Sequence, residues 1–280
     1  MFARHTVIAG LFAILTGLIV LALPGRTESQ DKAAPKDVKA EKDAGPWTED
    51  FPVEPGELGP TGRNPYFILE PGYFLVLRKG NEELTITVLD ETKKVDGVET
   101  RVVEERETKN GKLIEVSRNF FAISKRTNSV YYFGEEVDIY EDGKVVSHDG
   151  AWLSGVKGAR FGLMMAGTPL VGGRYYNEIA PEVAMDRSEI VSMKETVETI
   201  AGTFKNSLKI EETTPLEPGN KEFKYYARGI GLVNDANALW VLSRARKIVG
   251  QDSDPVWHGQ DRNPVPQALR LSRVRAEHAG

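Results

Sequence analysis

Few residues in this chain have the type and spacing that chemistry needs. Three acidic doublets, Glu104-Glu105, Glu135-Glu136 and Glu211-Glu212, stand in strand-like sequence. Paired acids can cleave glycosides when both carboxyls face one substrate. Neighbours on a strand point to opposite faces, so no doublet is a dyad by itself, and all three read as solvated edges that discourage aggregation. His148, beside Asp149, is the one histidine away from the chain's ends; His5, His258 and His278 lie near the termini. A metal site built on His148 with Asp138 or Glu141 would lack a second histidine. A hydrolytic triad using His148 would lack the G-x-S-x-G turn that exposes a serine. The glycine-rich stretch 155–173 has neither G-x-G-x-x-G before a helix nor G-K-[ST], so it does not read as a phosphate cradle. No catalytic residue, metal ligand or cofactor is assigned, and the chain reads as a non-enzyme.

The aromatic residues carry more information. Phe120-Phe121, Tyr131-Tyr132-Phe133, Tyr175-Tyr176 and Tyr225-Tyr226 are sequence neighbours. On strands, each set sends one ring to the core and one to the other face, where it lines a ligand surface, lies under a loop or meets a partner. Tyr132, Tyr176 and Tyr226, with Phe161 from the glycine-rich stretch, are the candidate ligand or interaction surface.

The elements that position these residues are strands. Leu84, Ile86 and Val88 alternate with polar residues, as do Phe204, Leu208 and Ile210, which is the pattern of half-buried strands. Asp96-Gly97, Asn110-Gly111 and Asp142-Gly143 each separate two β-prone segments and predict tight hairpins, because both central residues of a type I′ turn need positive φ. The stretch 155–173 reads as irregular chain around a short strand. For 189–199, strand competes with helix, since Met, Lys and Glu favour the latter; Leu239–Ile248 is a strand or a short helix. The fold class predicted is all-β, an antiparallel meander with few helices that forms a curved sheet, half-barrel or small barrel. An apolar face on such a sheet must close on itself or curl around something that covers it.

The segment 1–25 reads as a signal peptide or N-terminal anchor: Arg4 and His5 precede an apolar run from Val7 to Leu23. Ala22-Leu23-Pro24-Gly25 is a poor cleavage site, so cleavage and retention in the membrane both stay open. Residues 26–60, rich in charge, Pro and Gly, read as a flexible linker, 61–249 as the β domain and 250–280 as a disordered tail. The chain contains no cysteine, which excludes disulfides, a lipoprotein attachment site and thiol chemistry. Its net charge of −5 argues against nucleic acid as a partner, although basic residues outnumber acidic ones from Arg244 onward. The expected location is outside the cytoplasm, periplasmic or extracellular.

Gly202–Lys209, Thr213–Pro218 and Tyr225-Tyr226-Ala227-Arg228-Gly229-Ile230-Gly231-Leu232-Val233 together resemble a C-terminal segment of exported bacterial β-rich proteins. In those the last turn reads Y-A-P-G-x-G-L-V, with Arg228 here in the proline position. The strand layout also resembles, more loosely, the half-barrels of periplasmic lipoprotein-sorting carriers. The resemblance implies an exported β protein and no catalytic residues. Taken together, these readings predict a cell-envelope protein that binds a lipid or other apolar ligand, or an envelope component, without catalysis. The alternative is a structural or protein-interaction module of the envelope.

Overall fold

A computed structural model describes residues 45–235 and, as backbone alone, 239–246. The export segment 1–25, most of the linker and the tail 250–280 lie outside the described residues. A single 3-10 turn at Pro55–Glu57 precedes β1 (Leu58–Gly59), β2 (Gly62–Asn64) and β3 (Phe67–Leu69). Long hairpin strands follow: β4 (Tyr73–Lys79), β5 (Glu82–Val95), β6 (Val98–Lys109), β7 (Lys112–Ser124) and β8 (Val130–Glu141). Shorter strands come next: β9 (Lys144–Ser147), β10 (Trp152–Leu153), β11 (Arg160–Met165), β12 (Arg174–Tyr176) and β13 (Glu178–Ile179). The chain returns through β14 (Arg187–Thr199), β15 (Gly202–Thr213), β16 (Glu222–Ala227), β17 (Gly231–Asp235) and β18 (Leu239–Arg246).

The X-Gly turns form as their sequences require. Asp96 and Gly97 have φ of 47° and 80°, Asn110 and Gly111 53° and 73°, and Asp142 and Gly143 48° and 76°. Each closes a hairpin through two positive-φ residues. Residues 189–199 are strand, not helix, because β14 finds a long partner in β15, from Arg187 opposite Thr213 to Thr199 opposite Gly202. Residues 239–246 are likewise strand, paired to β4.

One large antiparallel sheet runs β12-β14-β15-β16-β17-β18-β4-β5-β6-β7-β8-β11-β13, with β1, β9 and β10 added beside β7 and β8. Register shifts interrupt several ladders, among them between Phe120 and Phe121, and such bulges sharpen curvature. The result is an open, strongly curled half-barrel. Its edge strands, β12 and β13, are consecutive in the chain and joined through Asn177. That residue's amide group donates to Leu163 O on β11 (3.1 Å), while its side-chain oxygen accepts from Ser188 Oγ on β14 (2.8 Å). One side chain therefore pins both edges together at this end. A Cβ on Gly162 would stand 2.4 Å from Asn177 O, so only glycine allows the approach.

Curling gives the sheet two buried faces. The inner one gathers Leu75, Leu77, Leu84, Val103, Phe121, Tyr132, Ile190, Leu208, Tyr226 and Leu232 from both halves of the chain, with Ile68 and Leu69 of the β2–β3 hairpin tucked against them. A second core lies on the outer face of β6–β8 and contains Leu58, Val98, Val102, Phe120, Ala122 and Phe133. Aromatic neighbours are accordingly split: Phe121 and Tyr132 face in, Phe120 and Phe133 face out.

Residues before 61 already belong to the domain. Residues 45–60, assigned to the linker by composition, are built into the domain. Thr48 pairs with Tyr175 on the free side of β12, Trp47 lies against the guanidinium groups of Arg174 (4.1 Å) and Arg187 (4.5 Å), and Asp50 pairs with Arg160 on β11 (2.7 Å). Phe51 then meets Tyr131 edge-on at 6.1 Å. This strap crosses from one sheet edge to the other. Composition missed it because a few aromatic and charged anchors hold a stretch otherwise rich in Pro, Gly and Glu.

Candidate functional site

Period two delivers one carboxylate of each doublet to the interior. Glu105 shares its face of β6 with Val103 and Glu107; Glu135 shares its face of β8 with Tyr132 across the Gly134 bulge; Glu212 continues the Leu208–Ile210 face of β15. Their neighbours Glu104, Glu136 and Glu211 turn outward, where Glu136 pairs with Lys93 and Glu211 with Lys221 (2.6 Å). The solvated-edge reading therefore holds for the outward members and fails for the inward ones. Strand register then stacks the inward acids: Glu105 is opposite Ser117, Glu107 opposite Glu115, and Asn119 opposite Glu135.

Across the interior stand Glu178, Glu212 and Asp235, with Asp186 half-buried at their margin. Glu105, Glu107, Glu135, Glu178 and Asp235 are all at most 7% exposed. The cation of this layer is Lys224, 2% exposed, whose ammonium touches Glu212. Burial drives the Glu105, Glu107 and Glu178 carboxyls well above the usual range, and neighbouring acids add to it. Burial likewise lifts Glu135 to about 8 and Glu115 and Asp186 to about 7. For Lys224 burial works against the charge, but Glu212 and Asp235 outweigh it and hold the ammonium protonated.

Polar satisfaction in the layer is incomplete. Tyr132 Oη donates to Asn119 Oδ1 at 2.5 Å, and Asn119 donates to Ser117 Oγ at 3.3 Å. Glu135 Oε2 and the hydroxyl of Tyr226 are buried without a hydrogen-bond partner. Such groups are uncommon in native interiors and call for an explanation.

Directly against this layer is a cavity of about 40 Å³. Its walls are apolar: Phe67 and Ile68 of the small hairpin, Leu75, Ile86, Val88, Val103, Ile230 and Leu232. Tyr73, Tyr226 and Glu105 complete the lining. Tyr73 Oη is engaged, donating to Ile230 O at 2.6 Å. The corner that shapes one wall uses Gly229 and Gly231, at φ 72° and 107°; Gly229 N donates to Pro65 O at 2.7 Å and so ties that corner to the small hairpin.

The four candidate residues named from sequence scatter over four environments. Tyr226 lines the cavity. Tyr132 lies inside above the acidic layer, stacked on Phe121 at 4.8 Å. Tyr176 is buried beneath the strap, edge-on to Trp47 at 6.3 Å. Phe161 is half-buried on the outer face, stacked on Phe133 at 4.7 Å. His148 stands exposed with its Nδ1 3.0 Å from Asp138. Among the described residues no three acids or histidines have an arrangement that would hold a metal ion, and no helix is long and apolar enough to cross a membrane. No protein family, curated protein or solved structure matches the chain.

Proposed function

We propose that this protein is an exported, non-enzymatic binding protein of the cell envelope whose curled sheet receives the apolar end of a small ligand. The observation that supports this is the apolar-walled cavity with Glu105 and Tyr226 at its polar side. Its size narrows the ligand. A water needs roughly 10–15 Å³ measured this way, so about 40 Å³ takes a few heavy atoms. That suits a short alkyl end or a small ring rather than a whole acyl chain, and a carrier that engulfs an entire lipid is disfavoured. The likeness of Tyr225–Val233 to exported β proteins and the basic-then-apolar start of the chain support the envelope address.

Native mass spectrometry of the full chain, alone and with short straight-chain compounds of varied head group, tests the reading. A one-to-one complex that is lost on Val103→Trp, which fills the cavity, is the expected result. Failure of every compound to bind would reject it. Fractionation of cells, with sequencing of the mature N-terminus, tests the address; a cytoplasmic chain would overturn that part.

A second reading, an interaction module of the envelope, is favoured by Leu170 and Val171, which are 69% and 62% exposed on the β11–β12 connection. Crosslinking in intact cells, with Leu170→Asp as the control, distinguishes a stable protein partner from none.

A further inference from the structure

We infer that the cavity and the acidic layer beside it form one site for a primary amine, with the ammonium between Glu105 and Tyr226 and the alkyl end between Phe67, Val88 and Leu232. This rests on the binding reading above and names the chemistry of the ligand's polar end.

Three independent observations converge on it. The first is the make-up of the layer: five almost fully buried acids share it with one lysine, and that lysine is already held by Glu212, so an added cation meets acids that can ionise to pair with it. The second is polar vacancy. Tyr226, on the cavity lining, has its Oη buried with no partner, and a buried polar atom left unpaired is costly. An ammonium brings three donors and no acceptor, which is the complement of a carboxylate and a phenol oxygen. The third is shape. The walls are apolar and the space small, so a strongly hydrated or bulky head such as phosphate does not fit. A carboxylate would meet Glu105 with its own charge. The acids are also not arranged as metal ligands among the described residues, which favours an organic cation over a bare metal ion. Phe67, Tyr73 and Tyr226 add aromatic surface suited to a cation.

The groups that act electrostatically on Glu105 are Glu135, Glu107, Glu115 and Lys224. In the empty site burial and the neighbouring acids favour the neutral form of Glu105. Docking an ammonium beside it favours its ionised form, so the complex is ammonium with carboxylate and the displaced proton goes to the buffer. No covalent bond changes.

The test is calorimetric titration of the full chain at pH 7 with propylamine, propanol and propanoate in buffers of different ionisation enthalpy. Propylamine is expected to bind roughly tenfold more tightly than propanol, as charge-assisted hydrogen bonds do relative to neutral ones. Propanoate is expected to be weakest, and amine binding alone to release a proton. Glu105→Gln keeps the shape of a neutral acid and should bring propylamine down to the affinity of propanol while abolishing proton release. If that variant fails to fold, the proton count on the unaltered chain still decides. Equal binding of all three compounds, or tightest binding of propanoate, would overturn the amine assignment and leave the apolar-ligand reading intact. Binding of none would remove both.

Discussion

The two halves of the interior are built from the same strands and obey opposite energetics. Where Leu75, Leu77, Leu84, Val88, Phe121 and Ile190 meet, every atom taken from water favours folding. A few ångströms along β6, β7 and β8, the same inward parity carries Glu105, Glu107, Glu115 and Glu135, and burial there opposes folding unless the acids take up protons or partners. A sheet that needed only stability would continue Val103 with more valine. The acidic layer thus costs stability that a run of valine would not.

Breaking the apolar half should have the largest effect. Phe121 is fully buried between Tyr132 and Phe67, and Phe121→Ala should lower the unfolding free energy by about 3–5 kcal/mol in urea denaturation. Lys224→Met removes the layer's cation and leaves Glu212 facing other acids. A loss of about 3 kcal/mol at pH 8 is expected, smaller at pH 5, where Asp186, which burial lifts to about 7 and Lys224 pulls down, has taken up its proton; equal losses at both pH values would show that packing, not charge, is at stake.

The pH dependence sharpens the contrast. Glu135 is lifted from 4.5 to about 8, and Glu115 to about 7. The native chain therefore binds these protons more tightly than the unfolded one. Their contribution is fully present below about pH 4.5 and is lost as pH rises through about 7 to 8, so thermal stability should fall over that window. Glu135→Gln should flatten the fall and raise stability at pH 8 by on the order of 2 kcal/mol, with little change at pH 5. A melting temperature that rises steadily from pH 5 to pH 8 would contradict this. The smallest effect belongs to the outward partners: Glu136→Gln or Glu211→Gln, each removing an exposed ion pair, should shift stability by less than about 1 kcal/mol at either pH.

Much of the architecture was legible. Asp96-Gly97, Asn110-Gly111 and Asp142-Gly143 announced their hairpins because the turn chemistry is local. The all-β class and the curled sheet followed from one-sided alternation. The acidic layer was not legible, and the reason lies in β6. Val102 and Val103 are both buried, on opposite faces, so neither parity of the strand could be identified as inner, and Glu104 and Glu105 looked equivalent. On β15 the signal was present: Glu212 continues the face of Leu208 and Ile210. Residue 189–199 stayed ambiguous because a strand's partner, here β15, is supplied by distant chain. The strap at 45–57 escaped notice because Trp47 and Phe51 act singly, without periodicity.

That strap has a mechanical consequence. The chain reaches the domain by lying along β12, held there by Thr48 N to Arg174 O and Tyr176 N to Thr48 O, both 3.0 Å. Tension applied from the N-terminal side meets Trp47 and these two bonds first and loads them one after another, as in peeling. The hairpin ladders β5–β8 lie behind them and share the load across many bonds. The strap's two backbone bonds are thus the first to part under tension, before the hairpin ladders of the domain.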